Sequence, residues 1–212
     1  MSLSTALFCI KGQHIDKLSE IFSFFKLNDT GKDIILGDWD EAIEIMDKEF
    51  MNPDETSQCR VAWYDNGWTV IEDLSLVLCT DEQRLKEISF HFSTQVFSLV
   101  TQGTSGCYAF WYYNQEKLRS FFNNNGNVID NFGKPLPEEA NYNINEKAFY
   151  DDIHGVAKQF GIDFGNASVI TNFIAKRLEN NEELNEELRK LSENIKPQPA
   201  YQHTRKPWWK FW

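Results

Sequence analysis

The chain has 212 residues and a net charge of −11, with 21 Lys or Arg against 32 Asp or Glu. It is long enough to bury a substantial core, and its body is too acidic to favour a polynucleotide partner. No apolar run approaches the roughly 20 residues that cross a bilayer, and Met1 to Ile10 lacks a positive leader region, so a soluble cytoplasmic protein is expected.

The first apolar run is short, Leu7 to Ile10. From Gln13 to Phe25 the spacing is helical, with Ile15, Leu18, Phe22 and Phe25 on one face. Asn28 to Gly31 breaks that pattern, and Ile34 to Leu36 suits a strand. Asp38 is placed to cap a second helix, with Glu41 three residues on as in a capping box and Trp39, Ala42, Ile43 and Met46 as its apolar side. Asn52-Pro53-Asp54 closes this section.

The middle of the chain reads as β. Arg60 to Tyr64 and Trp68 to Glu72 flank Asp65-Asn66-Gly67, and Asn-Gly is what a type I′ hairpin turn requires. Asp81 to Phe92 follows as a helix with Leu85, Ile88 and Phe92 inward. Gln95 to Thr101, Cys107 to Tyr113, Leu118 to Phe122 and Val128 to Phe132 then form strands joined by short polar breaks. From Asn145 the pattern turns helical: Phe149, Ile153, Val156 and Phe160 make one stripe, ended by Gly161. A last helix is expected from Asn166 or Ser168 through Phe173, Ile174 and Leu178. It continues along a seam of Leu184, Leu188, Leu191 and Ile195, opposite Glu179, Glu182, Glu183, Glu186 and Glu187.

The expected class is α+β: an antiparallel meander of about five to six strands with packed helices, a C-terminal helical section and an extended aromatic tail. The expected division is 1–140 for the α+β domain, 141–195 for helices packing on it, and 196–212 for the tail.

No motif fixes a reaction. Cys9, Cys59, Cys79 and Cys107 form no C-x-x-C pair, so neither a zinc site nor a dithiol centre is expected, and no cofactor is implied. Gly103-Thr-Ser-Gly-Cys107 lacks the second glycine of a nucleophile elbow and joins two strands, so it reads as a β-turn. His91 is a base candidate for Cys79 or Cys107, but no carboxylate at a telling spacing supports it, and a histidine complementing a helix C-terminus is the simpler reading. Asp151, Asp152 and His154 have metal-friendly chemistry, yet the helical stripe turns both aspartates outward. Asn123 to Asn127 is no calcium loop, since Phe121 would have to be its first ligand.

Two aromatic features remain. Phe110, Trp111, Tyr112 and Tyr113 alternate across a strand, so either helices cover both faces or one face is an open platform for a peptide, a ligand or the chain's own Trp208 to Trp212. The segment 196–212 carries four Lys or Arg, no acid and five aromatics, and without it the chain counts 17 basic against 32 acidic residues. Trp208, Trp209, Phe211 and Trp212 are its binding candidates. Docking on its own domain or a twin subunit, insertion at a membrane interface, and capture by another protein are the three readings. Three prolines and the short length oppose the membrane one.

In size, acidity and mixed character the chain resembles small bacterial immunity or accessory proteins, a likeness of style that no motif carries. The leading expectation is a non-enzymatic binding protein whose acidic surface holds a protein partner, a basic one, with a homodimer through the C-terminal helix or tail as a further expected association. The alternatives are a small-molecule enzyme with its pocket beside the aromatic meander, using Cys107, His91 or Ser105, and a peripheral membrane protein anchored by the tail.

Overall fold

A computed structural model describes residues 4–51, 57–73, 75–163 and 170–194. In chain order the elements begin with β1 (Ser4–Lys11), α1 (Leu18–Ser23) behind a 3₁₀ turn at Ile15–Lys17, β2 (Leu27–Asp29), β3 (Ile34–Leu36) and α2 (Trp39–Met51). Next come β4 (Ser57–Asp65), β5 (Trp68–Glu72), α3 (Glu82–His91), β6 (Gln95–Gln102), β7 (Cys107–Asn114), β8 (Glu116–Asn124) and β9 (Asn127–Phe132). A 3₁₀ turn at Pro137–Glu139 precedes α4 (Tyr150–Gln159), β10 (Phe173–Asn180) and α5 (Glu182–Asn194). The chain divides into two units, residues 1–180 and 181–212, the second of which includes α5.

The first unit is built on one antiparallel sheet in the order β2-β10-β4-β5-β1-β6-β7-β8-β9, with β3 also paired to β10. The mixed α+β class and the meander are as expected, and β6 to β9 run in sequence order. Among the described residues the sheet has ten strands rather than five or six. The short apolar run at Leu7 to Ile10 is the middle of β1, which pairs with β5 on one side and β6 on the other. Residues from Ala6 to Ile10 are all buried, because a central strand needs apolar side chains on both faces.

The larger correction is β10. Phe173, Ile174 and Leu178 lie on a strand paired with β4 along its length, not on a helix. Ala, Lys, Arg, Leu and Glu are good helix formers, so local propensity points the wrong way here. The slot between β4 and the β2/β3 edge overrides it: Phe173, Ala175 and Leu178 are buried, and Lys176 finds Asp29 at 2.6 Å and Asp33 at 2.7 Å. Of the expected seam, Leu184, Leu188 and Leu191 do lie on α5, which opens with Asn181 accepting the Leu184 N–H at 2.8 Å. Asn166, Ser168, Ile195 and Asn52 to Asp54 lie outside the described residues, as does the tail with Trp208, Trp209, Phe211 and Trp212.

Local signals elsewhere match the chemistry that carries them. Asn66 (φ 49°) and Gly67 (φ 82°) form a two-residue turn, with Asp65 opposite Trp68. Asp81 caps α3 by accepting the Arg84 N–H at 3.1 Å, and Asp38 accepts the Glu41 N–H at 2.9 Å. Glu41 does not close the expected box on Asp38: its Oε2 accepts from the Gly37 N–H at 2.7 Å instead.

One face of the sheet joins α2 and α4 in a core around Leu7, Val70, Phe97, Phe110, Ile153, Val156 and Phe173. The other face takes α1 and α3, where Phe8 meets Phe25 at 5.5 Å between ring centroids.

Candidate functional site

The aromatic run on β7 is covered on both faces. Phe110, Trp111, Tyr112 and Tyr113 are all buried, so they do not form an open platform. Phe110 stacks on Phe97 at 5.8 Å and Tyr112 meets Phe160, beyond the end of α4, at 4.9 Å. Trp111 and Tyr113 point to the opposite face, as strand alternation requires. There Tyr113 places its hydroxyl 3.5 Å from Glu82 Oε2, and burial followed by the Glu82 charge pushes its pKa up. Lys117 links Glu82 at 2.6 Å with Asp130 at 3.5 Å, and Ser120 donates its hydroxyl to Asp130. The Trp111 indole N–H is buried there without a hydrogen-bond partner among the described residues.

The three side chains of the enzyme reading do not converge. Cys107 opens β7, whereas His91 shares a groove with Gln115 past the far end of that strand. At about 3.3 Å per residue the two ends are roughly 20 Å apart. Ser105 is spent on Gln102, donating to its Oε1 at 2.6 Å. Cys79, the other thiol considered with His91, is buried, and desolvation together with Asp73 raises its pKa far out of the nucleophilic range. Asp152 accepts the Phe149 N–H at 2.9 Å and the Asn143 N–H at 2.9 Å, which makes it a helix cap. His154 is half-buried beside Thr101 (3.3 Å) under the Tyr150 ring, and desolvation lowers its pKa to about 4. Among the described residues no group of three or more His, Cys, Asp or Glu is arranged to hold a metal ion.

Sequence reasoning gave His91 no carboxylate. The fold supplies Glu20 from α1, with Oε1 at 2.8 Å from His91 Nε2. An open groove of about 780 Å³ lies beside this pair, lined by Phe24, Phe90, His91, Lys86, Glu87 and Gln115 among others. Its charges are mixed, and Glu87 is already paired with Arg84 at 2.7 Å.

A second feature missed in the sequence is the sheet edge formed by β2 and β3. Ile35 is 69% exposed and Ile34 is 45% exposed on a strand whose only pairing among the described strands is with β10. The chain turns at Gly37 directly into α2, whose outer side exposes Asp40, Glu41, Ile43, Glu44 and Asp47, with Asp38 exposed at its cap. Among the described residues of α2, Lys48 is the one cation and is held by Glu44 at 2.6 Å, while Lys32 lies exposed just before β3. An apolar edge thus borders a run of carboxylates. The signal in the sequence was the pair of adjacent isoleucines at 34 and 35, which a short edge strand cannot bury on both faces.

A third group is buried and structural. Asp73 accepts the Leu78 N–H at 2.7 Å and the Cys79 N–H at 3.1 Å, and lies 2.8 Å from Arg60 Nε. That last approach is an ion pair without hydrogen-bond alignment, since Arg60 Nε has no partner by direction. Glu72, next in the chain, is buried on the α4 side of the sheet, where desolvation and the Asp73 charge raise its pKa to about 8.

No family model matches the chain, and comparison with characterised proteins and with solved structures likewise gives no match.

Proposed function

We propose that the protein is a non-enzymatic, cytoplasmic binding protein of the immunity or accessory type, whose acidic surface holds a basic protein partner. The observation that carries this reading is the β3–α2 edge: exposed Ile34 and Ile35 beside five exposed carboxylates, against only Lys48, already paired, and Lys32 among the described residues there. Such a surface attracts a basic partner at long range and then offers apolar area at contact. The absence of convergence among Cys107, His91 and Ser105 supports a binding role over the enzyme reading, because a nucleophile and its base must lie within hydrogen-bond reach.

The test is binding to a candidate basic partner by calorimetry. One-to-one stoichiometry, affinity that falls with added salt, and indifference to Cys107→Ser and His91→Ala are expected. Salt-independent binding, or loss of function with either substitution, refutes the reading.

Self-association is the second reading, favoured by the exposure of Leu188 and Leu191 on α5. Light scattering of the Leu188→Lys, Leu191→Lys double variant decides it: a dimer that survives both changes does not use that seam.

A further inference from the structure

Among the described strands the sheet has two unpaired edges, and they differ in charge. At β9, Val128, Ile129 and Phe132 are exposed, but Asp130 is tied to Lys117, and the adjoining groove places Lys147 beside Glu146. That edge has no dominant field. At β3 the flanking charge is mostly of one sign: Asp38, Asp40, Glu41, Glu44 and Asp47 outnumber Lys48 and the exposed Lys32. Asp29 and Asp33, close by, share the single cation of Lys176 and keep one net negative charge between them, so the larger excess lies along α2.

We propose that the β3 edge accepts an extended basic segment of a partner protein as an added antiparallel or parallel strand. This rests on the basic-partner reading above and specifies how the partner is held. A strand edge presents a row of unpaired backbone N–H and C=O groups, and such edges recruit further strands unless charge, proline or a cover prevents it. The usual protection is an inward lysine or a proline, and Ile34-Ile35-Leu36 has neither. Leu36 is buried against the sheet, which holds the strand flat, while Ile34 and Ile35 stand on its two faces. An incoming strand that alternates apolar and basic residues places its apolar side chains on Ile35 and its cations toward α2. An acidic strand meets repulsion in the same place, so the carboxylates select the partner as well as attract it.

The groove on the Ile35 face adds room for a side chain. It has about 540 Å³ and is lined by Ile15, Tyr64, Ile170 and Ile174, with Asp65 at its rim. Ile174 is the direct cross-strand neighbour of Ile35, so a residue docking on Ile35 reaches this groove.

The experiment is selection of a random octapeptide display library against the full-length protein, followed by binding measurements on one enriched peptide. Enriched sequences alternate Lys or Arg with apolar residues, and the chosen peptide loses about tenfold or more in affinity against Ile35→Lys. Methylating alternate backbone nitrogens of the peptide abolishes binding, because the edge hydrogen bonds are lost. If the methylated peptide binds equally well, strand addition is overturned while the basic-partner reading stands. Enrichment of peptides without cations overturns both. Tighter peptide binding by the Trp208→Ala, Trp209→Ala variant makes the chain's own basic tail the occupant and overturns assignment to a separate partner.

Discussion

Arg119 and Glu139 form a two-pronged buried ion pair, Nε to Oε1 at 2.8 Å and Nη2 to Oε2 at 2.9 Å, joining β8 to the 3₁₀ turn after β9. Arg119 Nη1 serves the Ser120 and Phe132 carbonyls, each at 2.8 Å, so the guanidinium is satisfied on every side. Glu139 in turn accepts the Leu136 N–H at 2.8 Å. Breaking the pair leaves a buried cation without its counter-charge. Glu139→Ala should therefore cost about 3–5 kcal/mol in urea unfolding, and the double variant Arg119→Met, Glu139→Leu should recover part of that loss.

Glu72 gives the protein an alkaline weakness. Its pKa is about 8 in the folded state against an ordinary value of 4.5, so the fold prefers the protonated acid. Its stabilising contribution is fully present below pH 4.5 and declines as pH rises towards 8. Glu72→Gln, which keeps the shape and removes the ionisation, should stabilise the protein at pH 8 by on the order of 2–4 kcal/mol and flatten the profile between pH 4.5 and 8. Chemical denaturation across that range checks it; an unchanged slope refutes it.

His154 acts in the opposite direction. With a folded pKa of about 4 against 6.5, it favours the fold when neutral, and its contribution is present above pH 6.5 and lost as pH falls to 4. His154→Gln should remove the acid limb of the stability curve while leaving the alkaline limb of Glu72 in place. The wild-type curve should therefore peak between pH 4.5 and 6.5, where the two slopes oppose each other.

Gly155 reverses a general rule. Glycine inside a helix is ordinarily about 1 kcal/mol worse than alanine. Here the Tyr142 ring lies against the backbone of α4, and a Cβ would fall 2.0 Å from Tyr142 Cε1. Gly155→Ala should lower the thermal midpoint rather than raise it, and Tyr142→Ala in the same chain should relieve the clash.

Much of the fold was legible because its signals are local. The Asn66-Gly67 turn, the Asp81 cap and the strands from β6 to β9 each follow from neighbours in the chain. The candidate site was less so. Ile34 and Ile35 were readable as a strand, but their exposure depends on β10 lying to one side and nothing among the described strands to the other. His91 acquired Glu20 across 71 positions, a proximity that no spacing rule encodes. The platform reading of Phe110 to Tyr113 failed for a similar reason: alternation assigns faces, and only packed helices decide whether a face is open.

The sequence by itself determined the acidic balance, the α+β class, the turns and caps, and the two-sided apolar character of β7. Those properties depend on composition and on contacts a few residues long. Tertiary structure decided the rest: β10 as a strand despite helix-forming residues, buried Glu72 and half-buried His154 with opposing pH dependence, and the β3 edge as the exposed one beside α2. Each of these depends on desolvation or pairing by residues distant in the chain, and burial is a property of the assembled layers rather than of any segment within them.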